Sequence, residues 1–153
     1  MGLYYEDFSL EQKFISSGRT ITETDIVNFS GISGDFNPLH TDKTFAESTI
    51  FKKRIAHGML IVSVMTGLTA KMGIFEGTAI GLLSIDEWKF KRPVFLNDTI
   101  HLEMEIIEKI ETSKTDRGII IRKVNVLNQN SQIIQEGKIS VMMRKYSQED
   151  KHE

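Results

Sequence analysis

The segment from His57 to Lys71 is the feature that most restricts how this chain can fold. Between those two residues it reads Gly-Met-Leu-Ile-Val-Ser-Val-Met-Thr-Gly-Leu-Thr-Ala, which is apolar on nearly every side. A helix with this pattern is buried all round, whereas a surface helix keeps a polar face. Other elements must therefore wrap it. Its methionines are predicted to fill gaps in the core, the usual role of this side chain: Met59, Met65 and Met72.

Four segments with strand character follow the helix: 79–91, 98–111, 117–127 and 132–144. Between Ile100 and Ile106, apolar and polar residues alternate with the two-residue period of a sheet that has one buried face. The sequence Asn128-Gln129-Asn130-Ser131 favours a turn, so the last two strands are expected to pair antiparallel. Gly137 inside the last strand predicts a bulge or a close approach by the helix.

The N-terminal part of the chain predicts an edge strand and then a short helix. Residues 11–21 hold few apolar positions and are assigned to the strand. Thr22 and Asp25 have the spacing of a capping box and are expected to open the helix. Gly31 and Gly34 are expected to end it. The predicted buried stripe of this helix is Ile26, Val27 and Phe29.

A second short helix is predicted to start at Thr41-Asp42-Lys43-Thr44 and to continue through residues 45–47. The order of elements is then an edge strand, short helices, one long central helix and a run of antiparallel strands. Connections between the strands are short. This order predicts an α+β fold in which a curved antiparallel sheet wraps a helix, the hot-dog architecture.

Length and charge exclude several classes of protein. With 153 residues the chain suits one domain, assigned here to residues 1–146 with a polar tail at 147–153. The net charge of -2, with both signs interspersed, argues against nucleic-acid binding. Cysteine is absent, which excludes thiol chemistry and disulfides. No bilayer-spanning apolar run or signal peptide is evident, so a cytoplasmic protein without a membrane partner is expected.

The stretch Ser33-Gly34-Asp35-Phe36-Asn37-Pro38-Leu39-His40 places a carboxylate and an imidazole five positions apart. Pro38 forces Asn37 out of the helical region, so Asp35 and His40 lie on a kinked loop that can direct both side chains to one point. Such a pair can move protons on and off a substrate. Asp, Asn, Gly and Pro are also ordinary turn residues, so a purely structural turn is the competing interpretation.

A later segment makes the chain resemble a known family. The octapeptide is followed by Arg54-Ile55-Ala56-His57-Gly58-Met59-Leu60, by Lys91-Arg92-Pro93-Val94 and by Asn97-Asp98-Thr99. In this order they resemble the MaoC-like dehydratases, in particular the (R)-specific enoyl-CoA hydratases. The resemblance implies reversible hydration of a trans-2-enoyl-CoA to the (R)-3-hydroxyacyl-CoA. It also implies that Asp35 and His40 form the catalytic pair and that the Gly58 N–H is the oxyanion donor.

The chemistry of this reaction is consistent with those residues. Water adds to the β-carbon of the thioester while a proton reaches the α-carbon, so a base, an acid and a donor for the enolate oxygen are needed. We assign Asp35 as the base and His40 as the group that orients water and helps supply the proton, with exchanged or shared roles left open. Gly58 lies at the predicted start of the long helix, where free N–H groups and the dipole favour an anion.

Neighbouring residues receive lesser roles. Asn37 is expected to hydrogen-bond the loop or the bound water, and His57 to anchor the loop. Thr66, two turns beyond Gly58, either faces the acyl chain or is a core threonine with its hydroxyl satisfied. A metal site is not predicted, because the helical spacing typical of a zinc site is missing and the reaction requires no metal. The CoA thioester is the substrate, and no separate cofactor is expected.

Alternatives remain open at this stage. A non-catalytic acyl-CoA-binding protein or an acyl-CoA thioesterase can use the same fold. The length of the acyl chain, and whether its carrier is CoA or an acyl carrier protein, cannot be decided from the residues. A single helix on one sheet leaves an edge uncovered, so at least a homodimer is expected.

Overall fold

The computed structural model describes residues 1–147, and the rest of the predicted polar tail, 148–153, lies outside the described residues. A 3-10 turn at Tyr5–Asp7 precedes the regular elements. The helices are α1 Glu23–Ser33, α2 Pro38–Thr41, α3 Lys43–Ser48 and α4 Gly58–Lys71. The strands are β1 Lys13–Ile15, β2 Arg19–Thr20, β3 Ala79–Phe90, β4 Thr99–Glu111, β5 Arg117–Leu127 and β6 Ile133–Arg144.

The strands form one antiparallel sheet in the order β1-β4-β5-β6-β3, with β2 paired to the end of β4. The predicted strands after the helix are confirmed within a few residues, as is the antiparallel pairing of the last two. Alternate residues of β4 and β5, among them Leu102, Met104, Val124 and Val126, are fully buried and pack around α4. The structure therefore confirms the α+β, hot-dog architecture.

Helix α4 is buried on most of its circumference but not on all of it. Met65 is only 1% exposed, whereas Met59 is 56% exposed. The prediction that Met59 packs in the core is therefore wrong for a single copy of the chain. Met72 packs partly against the core, as predicted. Ser63, Thr66 and the other exposed residues of α4 form a strip on the side away from the sheet. No helix within residues 1–147 is both long and apolar enough to cross a bilayer.

Helix α1 begins as predicted and buries less than predicted. The Thr22 hydroxyl accepts from the Asp25 N–H at 3.2 Å, and the Asp25 carboxylate accepts from the Thr22 N–H at 2.8 Å, which confirms the capping box. Ile26 is buried, but Val27 is 57% exposed, because it lies on the solvent face of the helix. Gly34 ends the helix with φ of 75°, a left-handed conformation that glycine adopts without strain. Gly31 lies inside the helix rather than at its end.

Two further predictions need correction. The range 11–21 forms two short strands, β1 and β2, separated by a break at residues 16–18. Gly137 does admit a close neighbour, but that neighbour is the Trp88 side chain of β3, which would lie 2.5 Å from an added Cβ. The bulge opposite Gly137 is in β3, where the register shifts between Asp86 and Lys89.

Arg122 is a buried cation in β5. Its guanidinium lies 4.4 Å from the Phe75 ring, and its Nε and Nη1 have no hydrogen-bond partner among residues 1–147. Burial lowers the pKa of Arg122 from its ordinary value to about 10. The side chain is therefore charged at neutral pH at a cost in free energy, and that cost is relieved only as the pH rises above about 10.

Replacement of Arg122 by methionine is expected to stabilise the protein. Apolar residues of similar volume in place of a buried unpaired charge commonly raise the free energy of unfolding, here by about 1–3 kcal/mol. For a domain of this size the melting temperature should rise by roughly 2–4 °C per kcal/mol. Thermal unfolding of the Arg122→Met variant at pH 7 checks this, and a lower melting temperature would contradict it.

Candidate active site

The loop after α1 is built by short-range hydrogen bonds. The Asp35 N–H donates to Ser33 Oγ at 3.1 Å, the Asn37 N–H donates to Asp35 Oδ1 at 3.1 Å, and the Leu39 N–H donates to Asn37 Oδ1 at 2.9 Å. Asn37 caps α2, and Pro38 occupies the first turn of that helix, where its missing N–H costs nothing. A structural turn and an acid–imidazole pair can therefore coexist in this loop. Asp35 Oδ1 accepts a hydrogen bond within the loop, and Oδ2 faces His40.

His40 is held in one orientation by the segment before α4. Its Nδ1 lies 2.7 Å from the carbonyl oxygen of Ile55. A carbonyl only accepts, so Nδ1 carries the proton, and in the neutral ring Nε2 presents a lone pair. That Nε2 lies 3.9 Å from Asp35 Oδ2. The structure thus brings together the two side chains that the sequence predicted as a pair.

The separation of 3.9 Å is longer than a hydrogen bond. Two acceptors at this distance can both contact one small donor, such as a water molecule, from the same side. Asp35 is the open member of the pair, with 51% of its side chain exposed, whereas His40 has 11% exposed. The carboxylate of Asp35 is therefore accessible to solvent, whereas the imidazole of His40 is held by surrounding protein groups.

His57 supports the pair, which confirms the prediction that it anchors the loop. Its Nε2 lies 2.9 Å from the carbonyl oxygen of Asp35 and 3.2 Å from Ser30 Oγ. Its ring stacks on that of His40, with centroids 3.8 Å apart and planes inclined by 26°. Phe29 also packs against His57, with ring centroids 5.0 Å apart and planes inclined by 58°.

Gly58 is the first residue of α4, with His57 as N-cap. Among residues 1–147 the N–H groups of Gly58 and Met59 have no acceptor, as expected of a first helical turn. A Cβ at Gly58 would lie 2.8 Å from the Phe90 ring, so the glycine lets β3 approach the helix start. The Gly58 carbonyl accepts from Gln135 Nε2 at 3.0 Å, and Gln135 Oε1 accepts from Trp88 Nε1 at 3.0 Å.

The remaining predicted residues lie at different depths. Asn37 hydrogen-bonds the loop, as predicted, and its amide oxygen is occupied by the Leu39 N–H. Thr66 is exposed and donates to the Ser63 carbonyl at 2.6 Å, so the interpretation as a core threonine is wrong. It lies about 12 Å from Gly58 along the axis of α4, on the exposed strip of that helix.

Several supporting groups could not be found from the sequence. The carbonyl of Ile55 and the side chain of Gln135 contribute through contacts 15 and 77 residues apart in the chain. Arg54 forms a two-pronged pair with Glu23 at 2.8 and 2.6 Å, which ties the segment before α4 to the start of α1. Hydrogen bonding from Arg54 lowers the pKa of Glu23. Ser30 could have been found from the sequence, because it is a polar residue one turn after Ile26 on the buried side of α1.

Asp35, His40 and His57 each offer a donor atom within 4.8 Å of the other two. Zinc requires ligands that converge tetrahedrally at about 2.0–2.2 Å. As they stand, two of the ring nitrogens are used in hydrogen bonds: His57 Nε2 contacts the Asp35 carbonyl oxygen, and His40 Nδ1 contacts the Ile55 carbonyl oxygen. A reaction without metal remains a prediction from the chemistry.

Comparison with known proteins defines the class. Residues 7–127 match the family model described as the MaoC like domain, and this chain belongs to that family. The (R)-specific enoyl-CoA hydratase of Rhodospirillum rubrum is 38% identical over 101 residues, which is 63% of this chain and 65% of that protein. The chain matches between 30% and 65% of the length of the first curated relatives.

Solved structures match over a larger share of the chain. The monoamine oxidase regulatory protein from Archaeoglobus fulgius is 35% identical with a TM-score of 0.88, covering 95% of this chain and 97% of that one. The R-hydratase PhaJ1 from Pseudomonas aeruginosa is 31% identical with a TM-score of 0.79, covering 95% and 88%. The resemblance to the MaoC-like family inferred from the motifs is thereby confirmed.

Proposed function

We propose that this protein is a hydro-lyase that reversibly adds water to a trans-2-enoyl thioester to give the (R)-3-hydroxyacyl thioester. The observation that carries the proposal is the pairing of Asp35 Oδ2 with His40 Nε2 at 3.9 Å, near the start of α4, whose first two N–H groups have no acceptor within residues 1–147. The likeness to proteins named (R)-specific enoyl-CoA hydratase supports the same reaction.

In the proposed mechanism one water is held between Asp35 Oδ2 and His40 Nε2. Asp35 accepts a proton from this water as its oxygen bonds to the β-carbon. Electron density moves to the thioester oxygen, and the Gly58 N–H at the start of α4 stabilises the resulting enolate. A donor of this kind contributes about 3–4 kcal/mol to the transition state. The proton then reaches the α-carbon with help from His40, and dehydration follows the reverse path.

The substrate site is proposed to lie beside the exposed strip of α4. Thr66 is placed toward the acyl chain because its side chain is accessible there and its hydroxyl already donates to the Ser63 carbonyl. A threonine whose donor is occupied presents its methyl group to a ligand at little cost. Asn37 remains assigned to the loop that carries Asp35. CoA and acyl carrier protein are both carriers compatible with this proposal.

We further propose that two copies of the chain associate through β3. This strand pairs only with β6 within residues 1–147, so its other edge has free backbone groups. Its exposed side chains include large apolar ones: Ile80, Leu82, Leu83, Ile85 and Phe90. An antiparallel β3–β3 contact about a two-fold axis would continue the sheet and bury these residues. Phe90 would link this contact to Gly58, which its ring touches.

Leu82→Lys is expected to prevent this association. Leu82 is 58% exposed, so the substitution is tolerated in a single copy, but near a two-fold axis it brings like charges together in a dry contact. The molar mass from light scattering should fall to that of one chain. Ile15→Lys is the matched control, because Ile15 is an exposed apolar residue on β1, at the opposite edge of the sheet. Equal masses for both variants would contradict the β3 contact.

A second candidate is acyl-thioester binding without catalysis. One solved structure that is 35% identical is named a monoamine oxidase regulatory protein, a name that states regulation and no reaction. Hydrolysis of the thioester is a third candidate function that the experiment must distinguish from the other two. Both alternatives leave the carbon–carbon double bond without added water, and hydrolysis in addition releases the free thiol.

Turnover of enoyl thioesters tests the proposal. The protein is incubated with crotonyl-CoA and with longer trans-2-enoyl-CoAs, the loss of the conjugated thioester is followed by absorbance, and the alcohol is resolved by chiral chromatography. We expect the (R)-3-hydroxyacyl thioester and no free thiol. Release of free CoA would indicate a thioesterase, binding without loss of absorbance would indicate a binding protein, and an (S) product would overturn the proposed stereochemistry.

A further inference from the structure

His57 lies next to Asp35, His40 and Gly58, the three residues proposed to carry the reaction. Its Nε2 lies 2.9 Å from the Asp35 carbonyl oxygen, its ring stacks at 3.8 Å on His40, and it is the N-cap residue directly before Gly58. Only 3% of His57 is exposed. A residue so deeply buried, covered by the His40 ring and by Phe29, has no route to the substrate. Its contribution must therefore act through its neighbours.

The contacts of His57 also define its protonation. Nε2 faces the Asp35 carbonyl, which only accepts, so Nε2 carries a proton. Nδ1 is buried and has no hydrogen-bond partner among residues 1–147. The groups around His57 are Asp35 and Ser30 at Nε2, the stacked ring of His40, and the tilted ring of Phe29.

We infer that His57 is a positioning residue that fixes Asp35 and His40 relative to each other. The hydrogen bond from Nε2 holds the main chain of Asp35, and the stacked ring limits rotation of the His40 imidazole about its Cβ–Cγ bond. One buried ring thereby holds both Asp35 and His40 in place. The inference rests on the proposed function, since the pair matters only if it handles protons.

Two substitutions separate the two contacts. His57→Phe keeps an aromatic ring against His40 and removes the donor to Asp35. His57→Gln keeps a donor where Nε2 lies, because the Gln Nε2 reaches a similar distance from the main chain, and removes the ring. His101→Phe is the control, since His101 lies on β4 and its side chain contacts Glu103 at 4.0 Å.

Steady-state kinetics with crotonyl-CoA is the first readout. A displacement of about 1 Å in a reacting group costs about 10²-fold in rate. We expect kcat to fall about 10²-fold in His57→Phe and about tenfold in His57→Gln, with KM within about threefold of the wild type. The control should keep its kcat. A merely structural role would lower the amount of folded protein and leave kcat per folded chain unchanged.

Nitrogen NMR of the His40 ring is the second readout and needs no turnover. In the wild type one neutral tautomer, with the proton on Nδ1, is expected. In His57→Phe and His57→Gln the His40 signals should broaden or shift as the ring gains freedom. Unchanged kcat in either folded variant, or unchanged His40 signals in both, overturns the inference. A wild-type protein without turnover but with the expected His40 signals refutes the proposed function alone.

Discussion

Asp35→Asn is expected to lower kcat for hydration of crotonyl-CoA by about 10³-fold, within the range of about 10²–10⁴ for loss of a general base. Asparagine keeps an oxygen that accepts from the Asn37 N–H, so the loop retains its shape. It cannot accept a proton from water, and it places an amide where Oδ2 faced His40. Stopped-flow or steady-state absorbance measures the change directly.

The melting temperature of Asp35→Asn should stay within about 2 °C of the wild type, because the side chain is half exposed and the substitution is nearly isosteric. Binding of a saturated acyl-CoA, measured by calorimetry, should also be little changed. Retained activity would remove Asp35 from the mechanism. A large loss of stability together with activity would favour the purely structural interpretation of the turn.

His40→Asn is the second substitution with a large expected effect. The Asn side-chain nitrogen lies near the position of Nδ1 and can still donate to the Ile55 carbonyl, while the Nε2 position is lost. We expect kcat to fall about 10²–10⁴-fold. Some stability is lost as well, about 1–2 kcal/mol, because the stack with His57 disappears and His40 is buried.

Combination of the two substitutions tests whether the side chains act on one water. Groups that act as a unit have strongly non-additive effects, so the double variant should be nearly as active as the slower single variant. Multiplicative losses in the double variant would mean that Asp35 and His40 work in separate steps. Either result can be read from kcat at saturating substrate.

Local sequence rules predicted the parts of this fold that depend on a few adjacent residues. The capping box at Thr22, the start of α4 at Gly58 and the strands after it follow from short patterns, and the structure reproduces them. Asp35 and His40 were found for the same reason, since Pro38 and the Asx contacts of the loop are all local.

The features that sequence reasoning missed depend on which surfaces meet. Val27 is as apolar as Ile26, and only tertiary packing decides that Val27 faces solvent. Ser63, Thr66 and Gly67 form an exposed strip on α4, but small residues of this kind hardly alter the average polarity of a helix, so it appeared buried all round. Gly137 correctly indicated a close contact, whereas the identity of its neighbour, Trp88, depended on strand pairing.

The hydrogen bonds that shape the loop after α1 each span two residues, from Ser33 to Asp35, from Asp35 to Asn37 and from Asn37 to Leu39. Its conformational entropy is therefore lost when the chain folds and not when a ligand arrives. Binding of a thioester then does not require this segment to close. The association rate constant is limited by diffusion of the thioester to the site. Binding of substrate to the folded protein should accordingly occur in a single fast phase, and the observed rate constant of that phase should rise linearly with substrate concentration.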